Sequence, residues 1–526
     1  MPYIKTGWTL DLIALWLYAI LVNIGILFNP DIPIPTDAPP FLKVVELLQG
    51  NYLGEVVPFR IQYPIYPYLA WAVGFLIPDK LFAARLASFV PAVICPLLVY
   101  MSCHLIGCGR RASLIGAFLL ASAPPLIHIS SLPLYDSLFV CMTAASLAAI
   151  LAAVRRPSVI SCAGAAAICG VAAATRGPGL FFVIALIVSI LSLPKLMRSQ
   201  KIIRAALCLL VTAGSLFVAR YPARSLSASL TNANPACMKQ LIQDGILYSK
   251  GTHIRDAAVY GLAEDCTSMG SAVASVCRMG WLEFIGMHGK EWAKMALENW
   301  NRLLLYDLAQ ILSPFIVLAF PISLGIYGMI LKGGFLVPQH LTILCMSVPF
   351  LLGVPAIQLQ ERYLYPLFVM FCVVGGLGAQ VALDSLYKTG RMVAVILVAL
   401  AALAASVTVE NGMARDVQWQ NYRAACEWIV SFPRLGPATR VMVRNHGVYA
   451  FLHRDTIPMP IGSIESTLCF ARANGVDAII DGPLERNHNP NIDSPTTDLE
   501  QIRVFGEGPD RVAVLAVKKP AEQVIR

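Results

Sequence analysis

The sequence predicts a polytopic α-helical membrane protein with a small α/β domain at its C-terminus. Three observations carry this. The chain of 526 residues is 57% hydrophobic and only 13% charged, against about 25% charged in soluble proteins. Its mean hydropathy is +0.66. Apolar stretches of roughly 20 residues, each long enough to cross a bilayer, recur until about residue 410, where strand-like and helix-like patterns begin to alternate.

Eleven stretches read as spans: 10–28, 81–103, 112–130, 134–154, 158–175, 178–194, 202–220, 309–331, 339–357, 363–383 and 391–409. The first has one Lys before it and no small-residue cleavage site, so it reads as a retained helix. Stretch 61–77 is apolar but holds Pro64 and Pro67; it reads as an aromatic-rich interfacial helix or as a twelfth span. The break Arg176-Gly177-Pro178-Gly179 reads as a kink or a short loop.

Basic residues orient the spans. Arg110, Arg111, Arg155, Arg156, Lys195, Arg198, Lys201, Arg204, Lys332, Lys388 and Arg391 all fall on one side of an eleven-span chain. Lys and Arg concentrate in cytoplasmic loops, so the N-terminus is expected inside and the C-terminus outside. The formal net charge of +9 then reflects membrane orientation, and no nucleic-acid partner is implied. The expected division is a transmembrane domain over 1–417, with outer loops 29–80 and 221–308, and an extracytoplasmic domain over 418–526.

The polar segments follow the same logic. Within 221–308, the run Trp292–Trp300 has the spacing of an amphipathic helix resting on the membrane or on the bundle. Within 418–519, helices are expected at 421–432 and 463–474, and strands at 440–444, 476–480 and 511–517. That alternation suggests one small sheet covered by helices. Most of the 14 cysteines lie in or beside apolar runs, and no CxxC pair exists, so they read as small buried hydrophobes. The histidines do not cluster, and there is neither a Walker A sequence nor a GxGxxG.

The candidate site lies on the outer face. Asp37 precedes Pro39-Pro40 and a helical run 41–48. It fits a helix N-cap, and it fits a general base that takes a proton from an acceptor hydroxyl or amine. Asp136 stands at the start of the fourth span, as a cap or, with Asp37, as a pair of carboxylates that could hold a divalent cation against phosphate. No metal or other cofactor is required by the pattern. Arg176 is an ionisable group in an apolar stretch, a setting that usually serves a partner, a pathway or a ligand. Its guanidinium suits a phosphate or could snorkel to headgroups. Arg362, in Glu361-Arg362-Tyr363-Leu364-Tyr365-Pro366, has the same two readings. Tyr63 and Tyr66 could line a sugar or polyprenyl site, or belong to an aromatic belt.

These motifs resemble the lipid-dependent glycosyltransferases of the C-type fold (GT-C), in the group holding protein O-mannosyltransferases and the lipid A aminoarabinose transferase. Asp37, run 41–48 and Tyr63-Pro64-Ile65-Tyr66-Pro67 match that group in order and spacing. Asp136 matches its later acid, Ala174-Thr175-Arg176-Gly177-Pro178 its small-Thr-Lys-Gly-Pro signature with Arg for Lys, and Arg362-Tyr363-Leu364-Tyr365-Pro366 its Arg-Tyr-x-x-Pro signature. Many members have a second acid directly after the first, where this chain has Ala38. The resemblance implies inverting transfer of a sugar from a dolichyl or undecaprenyl monophosphate carrier to a lipid, glycan or protein acceptor, with Asp37 catalytic. It places the protein in a membrane, here expected to be a bacterial inner membrane. The rival reading is a non-enzymatic transporter or scaffold for lipid-linked envelope glycans. A transporter needs charged or broken-helix elements near the midplane, whereas these groups cluster on one face.

Overall fold

A computed structural model describes residues 6–30, 32–35, 38–48, 63–194, 196–228, 238–250, 262, 279–304, 316–331, 334–357, 361–385, 389–413, 416–435, 439–452, 456–489, 492 and 498–518. The described chain is a helical membrane bundle followed by a domain built on a five-stranded sheet.

Six helical stretches among the described residues are long and apolar enough to cross a membrane: Thr9–Leu27, Lys80–Leu105, Asp136–Arg155, Arg198–Tyr221, Pro338–Ile357 and Pro366–Asp384. Eleven were expected; among the described residues six are found. Four shorter apolar helices accompany them: Val159–Thr175, Gly177–Leu191, Pro321–Leu331 and Val398–Asn411. The stretch 112–130 is divided into Arg110–Ala121 and Pro124–Ile129. Ala123 is extended before Pro124 and Pro125, as the residue preceding a proline tends to be. A hydropathy window passes over such a break because it averages the prolines with the apolar residues on either side. Ile65–Gly74 has 10 residues, about 15 Å of helix, half a bilayer core. It is too short for a twelfth span.

Close helix contacts depend on small residues. A Cβ on Gly378 would come within 1.8 Å of the Pro321 carbonyl oxygen, and one on Gly325 within 2.1 Å of that of Val374. The helices Ile316–Leu331 and Pro366–Ser385 thus pack backbone to backbone, the usual device of helices in lipid. Along Arg198–Tyr221, by contrast, Ile203, Leu210 and Val218 are exposed, an outward face suited to acyl chains.

The two ends of the bundle are distinct. At one end Arg110 donates to both Asp11 carboxylate oxygens, at 2.5 and 2.7 Å. Gln380 accepts from the Gly109 amide, and Arg155 reaches the His104 carbonyl. Loops expected on one face therefore do meet. At the other end Arg85, buried, donates to the carbonyls of Asn29 (2.8 Å) and Ile32 (3.2 Å), tying the segment after the first span to the Lys80–Leu105 helix. The C-terminal domain joins this second end. Tyr449 donates to the Glu46 carboxylate, Lys43 lies over the Tyr449 ring, and a Cβ on Gly447 would come within 2.4 Å of the Ile34 carbonyl.

In that domain the sheet order is β2-β1-β3-β5-β4, with β1 Val441–Val443, β2 Thr456–Pro458, β3 Ala478–Asp481, β4 Leu499–Phe505 and β5 Val512–Val517. β1 runs parallel to β2 and β3; β5 is antiparallel to β3 and β4. The three expected strands are the central ones, and the expected helices are Val417–Ser431 and Ile464–Ala473. A buried carboxylate closes the top of the sheet. Glu485 accepts from the amides of Arg444, Asn445 and Gly482 and from the Tyr422 hydroxyl. Burial first, and then the Glu485 charge, push the Tyr422 pKa up, so that hydroxyl stays a donor. Between the bundle helices, the expected run Trp292–Trp300 is part of helix Trp281–Arg302. Trp292 and Asn299 donate to the carbonyls of Ala356 and Pro355, so the helix rests on the end of a span.

Arg85 is the clasp of the segment after the first span, and hydrogen bonds to a charged group contribute about 1.5–3 kcal/mol. Arg85→Met should lower the thermal unfolding midpoint in detergent and speed proteolysis within residues 29–62. An unchanged melt and digestion pattern would show that the clasp contributes nothing.

Candidate active site

The site grows from two helix ends at the same end of the bundle. Helix Val159–Thr175 stops at Arg176, whose backbone is extended (φ −160°, ψ 142°), and the single 3₁₀ turn Gly177–Gly179 follows. The break is thus a tight turn: a Cβ on Gly179 would lie 2.5 Å from the Ala173 amide nitrogen. Forty residues earlier, helix Asp136–Arg155 begins. Asp136 is its first residue, beyond the capping position held by Tyr135, so the expected cap is corrected. A carboxylate there still gains from the positive end of the helix dipole.

The Arg176 guanidinium donates to Asp136 Oδ1 at 2.7 Å, and the two residues are 7% and 2% exposed. This is a buried ion pair, and an aromatic cage surrounds it. The guanidinium carbon lies 4.3 Å from the Tyr363 ring centre, 4.9 Å from Tyr135 and 5.6 Å from Phe139. Beneath, Phe139, Phe182 and Phe350 stack in a cluster with centroids 6.0–6.3 Å apart. A cation bound to ring faces and a carboxylate in apolar surroundings is held firmly, because each contact strengthens as water is excluded.

The other expected residues fall around this pair. Tyr63 puts its hydroxyl against the turn, 3.4 Å from where a Gly177 Cβ would stand. Arg362 lies in the 3₁₀ turn Glu361–Tyr363, half-buried, 5.4 Å from the same Tyr363 ring that covers Arg176. Tyr66 is turned into the core: it is 1% exposed, donates to the Ala84 carbonyl and accepts from Ser88. Its place is structural rather than ligand-facing. Asp37 lies outside the described residues. Four residues on, Phe41 meets Tyr135 and Tyr66 edge to face at 5.0 and 5.5 Å, so helix Pro39–Leu48 is packed directly onto the cage.

Several residues of the site gave little sequence signal. Tyr135 and Tyr363 adjoin Asp136 and Arg362, and a charged residue beside a tyrosine at a span end could have been read as a cage. Ser88 had no signal. Its hydroxyl bonds to the carbonyls of Leu132 and Leu134, and its own carbonyl accepts from Ser137, fixing the segment that leads into Asp136.

For a metal the described residues do not fit. No group of three or more His, Cys, Asp or Glu comes together among them, and Asp136 spends its charge on Arg176. No step is assigned to a cation.

With this geometry in place, the likenesses to known proteins can be read. The profile of the dolichyl-phosphate-mannose-protein mannosyltransferases matches residues 58–218, which include Tyr63, Asp136 and Arg176. No curated protein matches the sequence. Among solved structures, apo ArnT from Cupriavidus metallidurans is similar with a TM-score of 0.59 at 12% identity, over 97% of this chain and 98% of that one. The same enzyme bound to undecaprenyl phosphate gives 0.57 at 13% identity, over 97% and 98%. The oligosaccharyltransferase of Archaeoglobus fulgidus, solved with zinc and sulfate, gives 0.57 at 14% identity, over 90% of this chain and 68% of that one. The chain therefore has a GT-C-like fold.

The pair itself is testable. Removing one member of a buried ion pair strands the other charge and costs about 3–5 kcal/mol, whereas replacing both with apolar groups is often near neutral. Asp136→Leu should lower thermal stability sharply, and Asp136→Leu with Arg176→Met should recover most of the loss. Additive losses in the double variant would show that the two residues act independently.

Proposed function

We propose that the chain is an integral membrane glycosyltransferase that moves a sugar from a polyprenyl-phosphate donor to a lipid, glycan or protein acceptor on the extracytoplasmic face. The observation that carries this reading is the caged Arg176–Asp136 pair, set beside Tyr63 and Arg362 at the end of a GT-C-like bundle where the first outer helix packs. The undecaprenyl phosphate of the similar ArnT structure supports the donor class.

In the proposed reaction Asp37 is the general base. The acceptor oxygen attacks the anomeric carbon from the face opposite the carrier. Its proton passes to Asp37, the bond from the anomeric carbon to the phosphate oxygen breaks, and the carrier leaves as its monophosphate. Arg362, whose half-buried guanidinium lies over the Tyr363 ring beside Arg176, would meet the developing phosphate charge. Electrostatic stabilisation by a preset cation of this kind is a large part of catalysis. Arg176 and Asp136 would then fix the Tyr363 ring on which Arg362 rests, and Tyr63 would stand at the sugar. In this division residues 1–417 form the catalytic membrane domain and 418–526 the outer α/β domain. The outer placement is supported by contacts of Gly447 and Tyr449 with the first outer segment, at the end away from Arg110 and Asp11.

A bacterial inner membrane is the proposed location. If the sidedness is right, a fluorescent-protein fusion after Arg156 should fluoresce in the cytoplasm, and a periplasm-dependent phosphatase fused to the C-terminus should be active. A dark fusion after Arg156, or an inactive phosphatase at the C-terminus of a stably expressed fusion, would overturn it.

Asp37→Asn keeps the shape and a capping oxygen while removing the base. Purified enzyme with polyprenyl-phosphate sugar should lose transfer by about 10²–10⁴-fold, the usual worth of a general base, at unchanged protein level. Near-normal release of carrier phosphate would refute the role. Vectorial movement of intact lipid-linked sugar in proteoliposomes, with no bond broken, would establish the transporter instead.

A further inference from the structure

One short segment of the C-terminal domain touches the chain on both sides of Asp37. Before Asp37, Gly447 sits so close to the Ile34 carbonyl that a Cβ there would collide with it. After Asp37, the Tyr449 hydroxyl donates to the Glu46 carboxylate of helix Pro39–Leu48. Neither contact involves the residues that cage Arg176.

Both contacts stand on firm parts. Asp37 falls between Pro35 and Ala38 in the sequence, and the Ala38 amide donates to the Pro35 carbonyl at 2.9 Å. The Ala38 carbonyl accepts from the amides of Phe41 and Leu42, at 2.9 and 3.2 Å, so helical hydrogen bonding starts at the residue after Asp37. Ile34, Ala38, Phe41 and Glu46 are all buried. On the domain side, Glu485 holds the amides of Arg444 and Asn445, and the Asn445 side chain accepts from the Gly447 amide. The segment that carries Gly447 and Tyr449 is therefore pinned to the sheet.

Glu46 joins three units. Besides the Tyr449 hydroxyl it accepts from Lys80, at 3.4 Å, the first residue of the Lys80–Leu105 helix. A buried carboxylate is costly unless it is bonded, so the loss of either donor is felt by the helix that carries it. Phe41 rests on the rings of Tyr135 and Tyr66 and lies between Asp37 and Glu46 in the sequence. Glu46 is five residues past it, about 7.5 Å along the helix axis. A helix of 10 residues moves as one body. A shift at Glu46, pivoting on the Phe41 contact, moves the end next to Asp37 the opposite way.

We propose that Tyr449 is a positioning residue for the transfer reaction: through Glu46, and together with Gly447 at Ile34, it sets where Asp37 meets the acceptor proton. This rests on the glycosyltransferase reading and gives the C-terminal domain a part in the chemical step. A misplacement of about 1 Å arising far from the chemistry costs on the order of 100-fold in rate.

The test combines kinetics and amide hydrogen exchange on the full chain in nanodiscs. Undecaprenyl-phosphate mannose, glucose and galactose are offered as donors, and heat-treated membranes of a strain lacking the gene supply the acceptor. The rate is the release of undecaprenyl phosphate. Tyr449→Phe removes the hydroxyl and keeps the ring beneath Lys43. It should lower kcat about tenfold or more and leave the donor KM within about twofold. Glu46→Gln, whose amide oxygen still accepts from Tyr449, should keep kcat within about threefold of the wild type. In an Asp37→Asn background, Tyr449→Phe should change the residual rate by less than about twofold, because its effect passes through Asp37. Exchange should rise in residues 41–48 of Tyr449→Phe and stay unchanged in strands 478–481 and 512–517, which shows the domain still folded. An unchanged kcat in Tyr449→Phe, an equal loss in the Asp37→Asn background, or unaltered exchange in 41–48 would overturn the positioning role. A wild type that releases no undecaprenyl phosphate from any donor would instead sink the glycosyltransferase reading, and the proposal with it.

Discussion

The end of the bundle that carries the candidate site depends on the buried contact between Arg176 and Asp136. Neither charge would be tolerated alone at that depth, since an unpaired buried ion costs several kcal/mol. Their pairing fixes two helix ends against each other: the break after Thr175 and the first residue of Asp136–Arg155. The guanidinium then supports the rings of Tyr135, Phe139 and Tyr363, and those rings carry the contacts on which Phe41 and Arg362 rest. A site built this way is preorganised, because the parts that would meet a ligand stand on a framework already satisfied internally.

The segment after the first span is held to the same framework from three directions. Arg85 takes the carbonyls of Asn29 and Ile32, Phe41 lies against the cage, and Glu46 is bonded by Tyr449 of the C-terminal domain. The C-terminal domain is therefore a brace for helix Pro39–Leu48. Its own rigidity comes from a continuous apolar sheet centre and from Glu485, which satisfies three backbone amides at once.

The amino-acid sequence by itself determined the membrane class, the gathering of Arg110 and Arg155 at one end, and the central strands β1, β3 and β5. These are properties of composition and local period: a strand buried on both faces must be apolar throughout, as Val512–Val517 is. The two strands it did not reveal, β2 and β4, are the edges of the sheet. Thr456–Pro458 is three residues long, and Leu499–Phe505 carries Glu500 and Arg503, the short or charged character by which edges avoid further pairing. Hydropathy likewise counted spans where Pro124 and Pro125 divide the chain. Asp136, Arg176 and Arg362 were legible as single residues because a charge in or beside an apolar run is conspicuous. Only the tertiary structure decided what they touch: that Arg176 is answered by Asp136, and that Tyr66 faces Ser88 in the core. Those relations join residues 40 and 22 positions apart in the chain, and they are set by how helices pack in three dimensions, which leaves no period or motif in the local sequence.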